Sequence, residues 1–420
     1  MKSAAVAARP WGGVSLPLLV AALIAGHAMS SMALLVLPAV APAVARDYGV
    51  DASLIGYQIS LVSVGMLTTL AMLGNLSRKL GGSRTNQIGH SMVGTGMLLM
   101  LIPSAMFLVA GSLAVGVGYG FLTPSASYLL MRFTPDARRN FVFSLHQASI
   151  PLGGILAAVG APWIAVTLGW RWSVALSALL LFAVVVLMQL RRGEWDDDRD
   201  PAYPAVLPSP FTCLAAIWRI RALRLTSVAG GCLCWVQFCI STFTVVASVE
   251  MLGLDLVAAG TMLLAVQLGS AAGRLLAGAV ADRLGHTMRL LAGIAGLTAV
   301  TCIATAGLTP AWPLPLVYAL FTLLGITSGG WAGILFVEVG RLAPAGQVST
   351  TFSGALVYIN LGKFVGTIAF ANVYALSRSY GYAFASVAVP ALVALFCLAA
   401  ADRSRRQDAA KDRSLRTPAP

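Results

Sequence analysis

Long apolar runs separated by short polar connections fill most of this 420-residue chain. A run of about 20 apolar residues is long enough for one helix to cross a bilayer. The pattern predicts twelve such helices, at residues 16–40, 54–76, 86–103, 106–130, 141–168, 173–190, 223–248, 258–281, 288–308, 314–337, 348–375 and 383–401. The chain is therefore predicted to be an all-α integral membrane protein.

One long polar connection divides the predicted helices into two sets of six. It carries the sequence RRGEWDDDRDPAYPAVLPSP, whose proline and charge content is typical of a flexible linker. We therefore expect an N-terminal six-helix bundle at 1–190, a cytoplasmic linker loop at 191–222, a C-terminal bundle at 223–401 and a cytoplasmic tail at 402–420.

Composition supports a lipid-facing surface. Hydrophobic residues make up 58% of the chain and charged residues only 10%, whereas a soluble domain is about 25% charged. The six cysteines have no spacing typical of a disulfide framework, a redox pair or a zinc site. The sequence also contains no phosphate-binding loop, metal cluster or nucleophile elbow. We predict neither enzymatic activity nor a cofactor.

The basic residues are distributed unequally between the two membrane faces. Of the 28 Lys and Arg residues, 23 fall in the even-numbered connections and the tails, 3 in the odd-numbered connections and 2 inside spans. Basic residues concentrate on the cytoplasmic side of a membrane. We expect a multi-pass protein of the plasma (bacterial inner) membrane with both termini cytoplasmic. The net charge of +13 then reflects topology, and no nucleic-acid partner is predicted.

Two related loops lie at equivalent places in the two halves. GNLSRKLGGSRTNQIG at 74–89 follows the second helix, and GAVADRLGHTMRL at 278–290 follows the eighth. Such an internal repeat is typical of transporters built from two similar bundles. The second loop resembles the G-x-x-x-D-R-x-G signature of the major facilitator superfamily, through Gly278, Asp282, Arg283 and Gly285. In the first loop, Arg78 stands where the acid is expected.

This resemblance implies two pseudo-symmetric six-helix bundles that transport by alternating access. It also implies that Asp282 and Arg283 fasten the cytoplasmic side when the protein opens outward, against the start of the fifth helix. Glu338 is a candidate partner for Arg283, and Gly278 and Gly285 allow close helix approach. The fifth span, FSLHQASIPLGGIL at 143–156, resembles a Pro-Gly-Gly helix of many bacterial facilitators.

Two cations lie deep inside predicted spans. Arg274 is in the eighth helix and Lys363 in the eleventh, and no acidic residue lies at a similar depth. A charge at the centre of a span costs about 2.5–3.5 kcal/mol and is functional by default. The natural counter-ion is an anionic substrate. The placement resembles the carboxylate-transporting branches of the superfamily, which include the oxalate:formate antiporter and the monocarboxylate and cyanate-permease-like transporters.

Several polar residues are candidates to complete a binding site. Each could equally form a hydrogen bond between helices. They are Tyr119, Tyr128, His27, Gln237, Gln267 and Asn360. His27 and His146 are also candidates for carrying a coupled proton, because histidine titrates near neutral pH.

The function predicted from these features is secondary transport, as symport, of a small mono- or dicarboxylate by a monomer. The main alternative is proton-coupled efflux of drugs or apolar metabolites. It is disfavoured because the first and fourth spans contain no acid, and Ser112 stands about where such antiporters carry an arginine. A membrane sensor or scaffold is a second alternative, but the longest predicted loop is only 191–222.

The charge distribution makes a direct prediction about topology. Reporter domains fused to the N- and C-termini should both be active only on the cytoplasmic side. A fusion in the connection near Arg171 serves as the control and should report the opposite side. An external C-terminus would contradict the twelve-helix topology.

Overall fold

The computed structural model describes residues 16–72, 76–135, 138–203, 211–284, 286–344 and 348–416, all as helices and their connections. Twelve long helices are present in this part of the chain, and we number them α1–α12. The first six are α1 (Leu16–Ala39), α2 (Ile55–Met72), α3 (Gly82–Leu99), α4 (Ala105–Phe133), α5 (Arg139–Gln147 and Ser149–Thr167) and α6 (Trp170–Gln189). The second six are α7 (Arg221–Leu252), α8 (Leu256–Leu284), α9 (Thr287–Ala304), α10 (Leu314–Gly329 and Ala332–Leu342), α11 (Val348–Ser377) and α12 (Tyr380–Ser386 and Ala388–Arg416).

Eleven of these spans are long and apolar enough to cross a membrane. The twelfth is α3, which is more polar because it buries Asn86, Gln87 and His90 inside the N-terminal bundle. Asn86 donates to Ser125 of α4 at 2.8 Å, and the Gln87 amide donates to Gln189 of α6 at 3.1 Å. Neighbouring helices therefore satisfy polar groups that lipid could not. This confirms the predicted all-α membrane fold.

The two halves repeat the same packing. Within the N-terminal half α1 packs on α5 and α6, and α2 on α4; within the C-terminal half α7 packs on α11 and α12, and α8 on α10. Glycines allow the closest approaches. A Cβ at Gly116 of α4 would lie 2.0 Å from the Val62 carbonyl of α2, and one at Gly325 of α10 would lie 2.2 Å from the Val266 carbonyl of α8. The halves meet through α2 against α11 and α5 against α8.

The halves are closed together at one end. We call the end that carries residues 190–220 the linker end, and the opposite end, which carries residues 40–54 and Arg378, the far end. Two stretches are buried without interruption at the far end. They are residues 30–41, which end α1 and begin the following connection, and residues 239–248 of α7. Toward the linker end, α1 alternates between buried and exposed positions, and α7 between buried and half-buried ones. The space between the halves therefore opens toward the linker end.

Hydrogen bonds between α2 and α11 hold the far end together. Tyr57 donates to Asn372 at 2.8 Å, and the Ser60 hydroxyl lies 2.7 Å from that of Thr367. Just beyond the helices, Arg378 pairs with Asp51 at 3.5 Å. These contacts would have to break for the far end to open.

The linker contacts the N-terminal bundle instead of forming a free tether. Residues 192–195 form a helical turn whose Trp195 is only 2% exposed. Arg132 at the end of α4 donates to the Trp195 carbonyl at 3.1 Å and pairs with Asp198 at 2.6 Å and with Asp197. Most of residues 191–203 are exposed, as expected for a solvated loop, but these contacts hold the segment against the bundle instead of leaving it a free tether. Likewise, the predicted tail continues α12 to Arg416.

Asp196 connects the linker to the start of α3. Its carboxylate accepts hydrogen bonds from the amides of Ser83 at 2.7 Å and Arg84 at 2.8 Å. Burial raises the pKa of Asp196, while the two amides lower it. A helix N-terminus favours an anion, so this carboxylate acts as a cap supplied from a distant segment. Asp196 therefore provides an acid at the first signature-like loop, where Arg78 replaces the expected one.

Removing this cap should loosen the linker. Asp196→Ala leaves the Ser83 and Arg84 amides without their acceptor and should destabilise the N-terminal bundle by about 1–2 kcal/mol. We expect faster proteolytic cleavage within residues 191–203 and a lower thermal unfolding temperature in detergent. Asp200→Ala, in the same linker, is the control. Equal cleavage rates for the two variants would contradict the capping role.

Candidate functional site

Arg274 of α8 reaches across the interface to a break in α5. Pro151 has no N–H, so the carbonyl of Gln147, four residues earlier, lacks its helix donor. Arg274 Nη1 donates to this carbonyl at 3.3 Å. The Arg274 Nε atom is buried and has no partner within the described residues. The guanidinium is thus held by one end and keeps an unsatisfied donor.

The polar residues beside Arg274 come from the N-terminal half. The Tyr119 hydroxyl of α4 lies 2.9 Å from the Ser31 hydroxyl and 3.3 Å from Nε2 of His27, both on α1. The rings of His27 and His146 meet edge to face, with centroids 4.9 Å apart. Both His27 and Tyr119 lie within electrostatic range of Arg274. Three predicted residues, Arg274, His27 and Tyr119, are therefore brought together.

Lys363 lies near the middle of α11 and is 2% exposed. Its ammonium contacts the sulfur of Met66 on α2 at 2.9 Å and lies 4.6 Å from the centroid of the Phe238 ring on α7. A thioether is a weak acceptor, and an aromatic face gives only a modest attraction to a cation. The contacts that the structure gives Lys363 therefore leave most of its hydrogen-bonding capacity unused.

Cys234, a buried residue of α7, lies within electrostatic range of Arg274 and of Lys363, so both cations lie near the same part of α7. None of the ion pairs between described residues includes either cation. In the described part of the chain, no group of three or more His, Cys, Asp or Glu residues could hold a metal ion. The described residues thus give this region positive charge and no carboxylate to neutralise it.

The family model of the Major Facilitator Superfamily matches residues 21–367, which is most of the chain. The chain belongs to the major facilitator superfamily. Members of this superfamily are secondary transporters that cross the membrane many times, and they are not enzymes.

Individual relatives of this facilitator are distant. The synaptic vesicle 2-related protein of Bos taurus is 29% identical over 171 residues, 40% of this chain and 31% of that protein. The chain thus aligns with about a third of the length of the first curated relatives that it matches. The gentisate transporter of Corynebacterium glutamicum is 22% identical over 354 residues, 79% of this chain and 75% of that protein. The crystal structure of the peptide transporter POT in complex with sulfate has a TM-score of 0.73 and 16% identity, over 94% of this chain and 96% of that one.

The remaining predicted binding residues of the facilitator make other contacts. Gln237 of α7 accepts a hydrogen bond from Trp331 of α10 at 3.0 Å, and Asn360 donates to Leu356 of its own helix at 2.9 Å. Tyr128 lies at the linker end of α4, where it donates to Asp198. Tyr128 therefore lies apart from the cation region, because α4 carries it past Tyr119 by more than two turns toward the linker.

The predicted gating residues lie at the open end. Asp282 and Arg283 are exposed, and a Cβ at Gly278 would meet nothing within 4 Å. Gly285 lies outside the described residues, as do the side chains of Phe141 and Ser144 at the expected contact. Glu338 is buried and pairs with Arg341 at 3.0 Å and Arg405 at 3.1 Å rather than with Arg283. The closing role of Asp282 and Arg283 stays a prediction for the conformation that is closed at this end.

Several contributors were missed from the sequence. Met66, Phe238 and Ser31 look like ordinary packing residues of a span, and no charge or motif distinguishes them. The Gln147 carbonyl could have been found, because Pro151 must free the acceptor four residues before it. His90 could also have been noticed as a titratable residue on a polar span. Its Nδ1 lies 2.8 Å from the Ser30 hydroxyl of α1.

The packing of His90 against α1 depends on Gly26. A Cβ at Gly26 would lie 2.4 Å from His90 Nε2. Gly26→Ala should therefore displace the imidazole and destabilise the protein by about 1–3 kcal/mol. The check is thermal unfolding in detergent. Gly160→Ala is the matched control, since nothing lies within 4 Å of its Cβ position. If Gly26→Ala is as stable as Gly160→Ala, this placement of His90 is wrong.

Proposed function

We propose that this facilitator transports a small organic anion, which binds between the two halves with its carboxylate held by Arg274 and Lys363. The observation that carries the proposal is the presence of two interior cations, Arg274 and Lys363, with no acidic partner among the described residues. A substrate that supplies the missing negative charge would bind next to Arg274 and Lys363.

Electrostatics favours this assignment. Two like charges in a region of low dielectric repel each other, and each also loses its hydration. An anion between them converts this repulsion into two attractions. Arginine can hold a carboxylate with two parallel hydrogen bonds, and lysine acts as a point charge. The unpartnered Nε of Arg274 is one of the donors that such a fork requires.

The surroundings of Lys363 favour an organic rather than an inorganic anion. Met66 and Phe238 present a thioether and an aromatic face to the same space as the ammonium. A ligand with an apolar or aromatic body and a carboxylate would match both. The relative from Corynebacterium glutamicum is named for gentisate, the anion of an aromatic acid, which agrees with this class. A monocarboxylate would place its one carboxylate between both cations, whereas a dicarboxylate could place one carboxylate on each.

Transport would follow from alternating access. In the conformation described here the substrate would enter from the linker end, which we assign to the cytoplasm of a plasma membrane. Opening the other side would require loss of the far-end bonds, such as Tyr57 to Asn372 and Arg378 to Asp51. The halves would then close at the linker end, where Asp282 and Arg283 are free to fasten it. Each protomer carries a complete set of these groups, so a monomer suffices.

The test is binding and uptake of a carboxylate panel, which includes gentisate, benzoate, lactate and oxalate, by the purified protein. Arg274→Gln and Lys363→Gln should each weaken binding of the transported member at least tenfold. Arg274→Lys should also weaken it strongly, because a point charge cannot replace the fork, whereas Lys363→Arg should retain part of the affinity.

Two cations outside this region provide controls. Arg289→Gln and Lys79→Gln remove the same charges near the linker end and should leave binding unchanged. The proposal is wrong if both interior Gln variants handle the substrate normally, or if the substrate proves to be neutral or cationic. The latter result would favour the alternative of drug or metabolite efflux.

A further inference from the structure

Three of the four histidines of the chain are buried close together in the N-terminal half, and His27 among them lies within electrostatic range of Arg274. His27 of α1, His90 of α3 and His146 of α5 are 2%, 1% and 4% exposed. His286, the fourth, is exposed at the linker end. The binding of an anion by Arg274 and Lys363 does not by itself require any of the three buried rings.

The buried rings form a connected group with His27 at its centre. The His146 ring meets the His27 ring at 4.9 Å between centroids. On the other side, His90 is fastened to Ser30 through Nδ1, and its Nε2 faces α1 at Gly26, next to His27. Arg274 donates to the carbonyl of Gln147, the residue that follows His146. The histidine group therefore adjoins the cation at the boundary between the halves.

Each ring keeps one nitrogen without a partner. Among the described residues, His27 Nδ1, His90 Nε2 and His146 Nε2 are buried and make no hydrogen bond. A neutral imidazole has one donor and one acceptor nitrogen, and leaving either unpaired inside a protein is unfavourable. Histidines that only filled space would not need three such vacant nitrogens in one place. Vacant ring nitrogens are the atoms that accept a proton.

The groups that face His27 determine when its ring can accept a proton. They are His146 from α5, His90 from α3, Tyr119 from α4 and Arg274 from α8. Arg274 is the permanently charged member, and it opposes a second positive charge on a neighbouring ring. An anion bound to Arg274 would cancel that opposition. By reciprocity, a proton on the ring would strengthen anion binding by the same factor.

We infer that the His27–His146 pair, with His90 behind it, is a proton-binding site that takes up one proton when an organic anion binds Arg274. The proton comes from water at the open end and returns to water when the site faces the other side. A monocarboxylate and its proton would then cross as a neutral pair. This inference rests on the proposed anion transport for the identity of the ligand, but the histidine group is a separate observation.

The test measures protons taken up per anion bound. Calorimetric titration of the purified protein with gentisate, and separately with oxalate, in two buffers of different ionisation enthalpy gives that number directly. The wild type should take up close to one proton per anion in the pH range where the site is empty of protons. There, affinity should rise about tenfold for each unit by which pH is lowered.

The variants assign the proton to the histidines. His27→Gln and His146→Gln should reduce uptake to near zero and make affinity independent of pH, while His286→Gln should behave as the wild type. Lys363 is the other interior titratable group near the anion, so uptake that persists in both histidine variants would overturn the inference. Anion binding without any proton uptake by the wild type would overturn it too, but would leave anion transport standing.

Two further results complete the test. If neither carboxylate binds the wild type at any pH, both the transport proposal and this inference fall. If the histidine variants do not fold, nitrogen-15 spectra of histidine-labelled wild type decide the matter. Adding gentisate should then shift the resonances of buried rings to the protonated form and leave His286 unchanged. Unchanged buried rings would overturn the inference.

Discussion

The cost of holding two cations in the membrane interior is the constraint on which the rest of this structure depends. Arg274 and Lys363 each lie on a helix that faces the opposite half, and neither has a carboxylate partner in the described chain. Their substitutes are weak: one backbone carbonyl, one thioether sulfur and one aromatic ring. Since an uncompensated interior charge is unfavourable by several kcal/mol, an anion bound at these cations would stabilise the protein.

The surrounding helices supply the contacts that hold these two cations in place. Pro151 interrupts α5 at the level of Arg274 and gives the guanidinium a carbonyl acceptor that a regular helix would not offer. Glycines bring α2 close to α4, and α8 close to α10, so each half is firmly packed within itself. The halves instead meet through α2 with α11 and α5 with α8, which are the four helices that carry Met66, Lys363, Gln147 and Arg274. Contacts to the cations therefore lie at the boundary between the halves.

Much of this arrangement could be predicted from the sequence. Apolar runs indicated twelve spans, because a bilayer imposes one length on every helix that crosses it. Arg274, His27 and Tyr119 could be singled out because polar groups in apolar spans are rare. The contacts between distant segments could not be predicted: Asp196 caps α3 across more than 100 residues, and Tyr128 faces Asp198 rather than the centre. Such contacts depend on how helices rotate and where loops return, which hydrophobic periodicity alone does not determine. The ion pair between Glu338 and Arg405, which lies in the predicted tail, could not be predicted for the same reason.

The most direct test of the account is an experimental structure of the protein with a bound aromatic carboxylate such as gentisate. The ligand's carboxylate should form two hydrogen bonds with the Arg274 guanidinium. The Lys363 ammonium should leave the sulfur of Met66 and turn toward the ligand. A ligand bound elsewhere, with Arg274 still on the Gln147 carbonyl and Lys363 still on Met66, would contradict the claim that these cations form the substrate site.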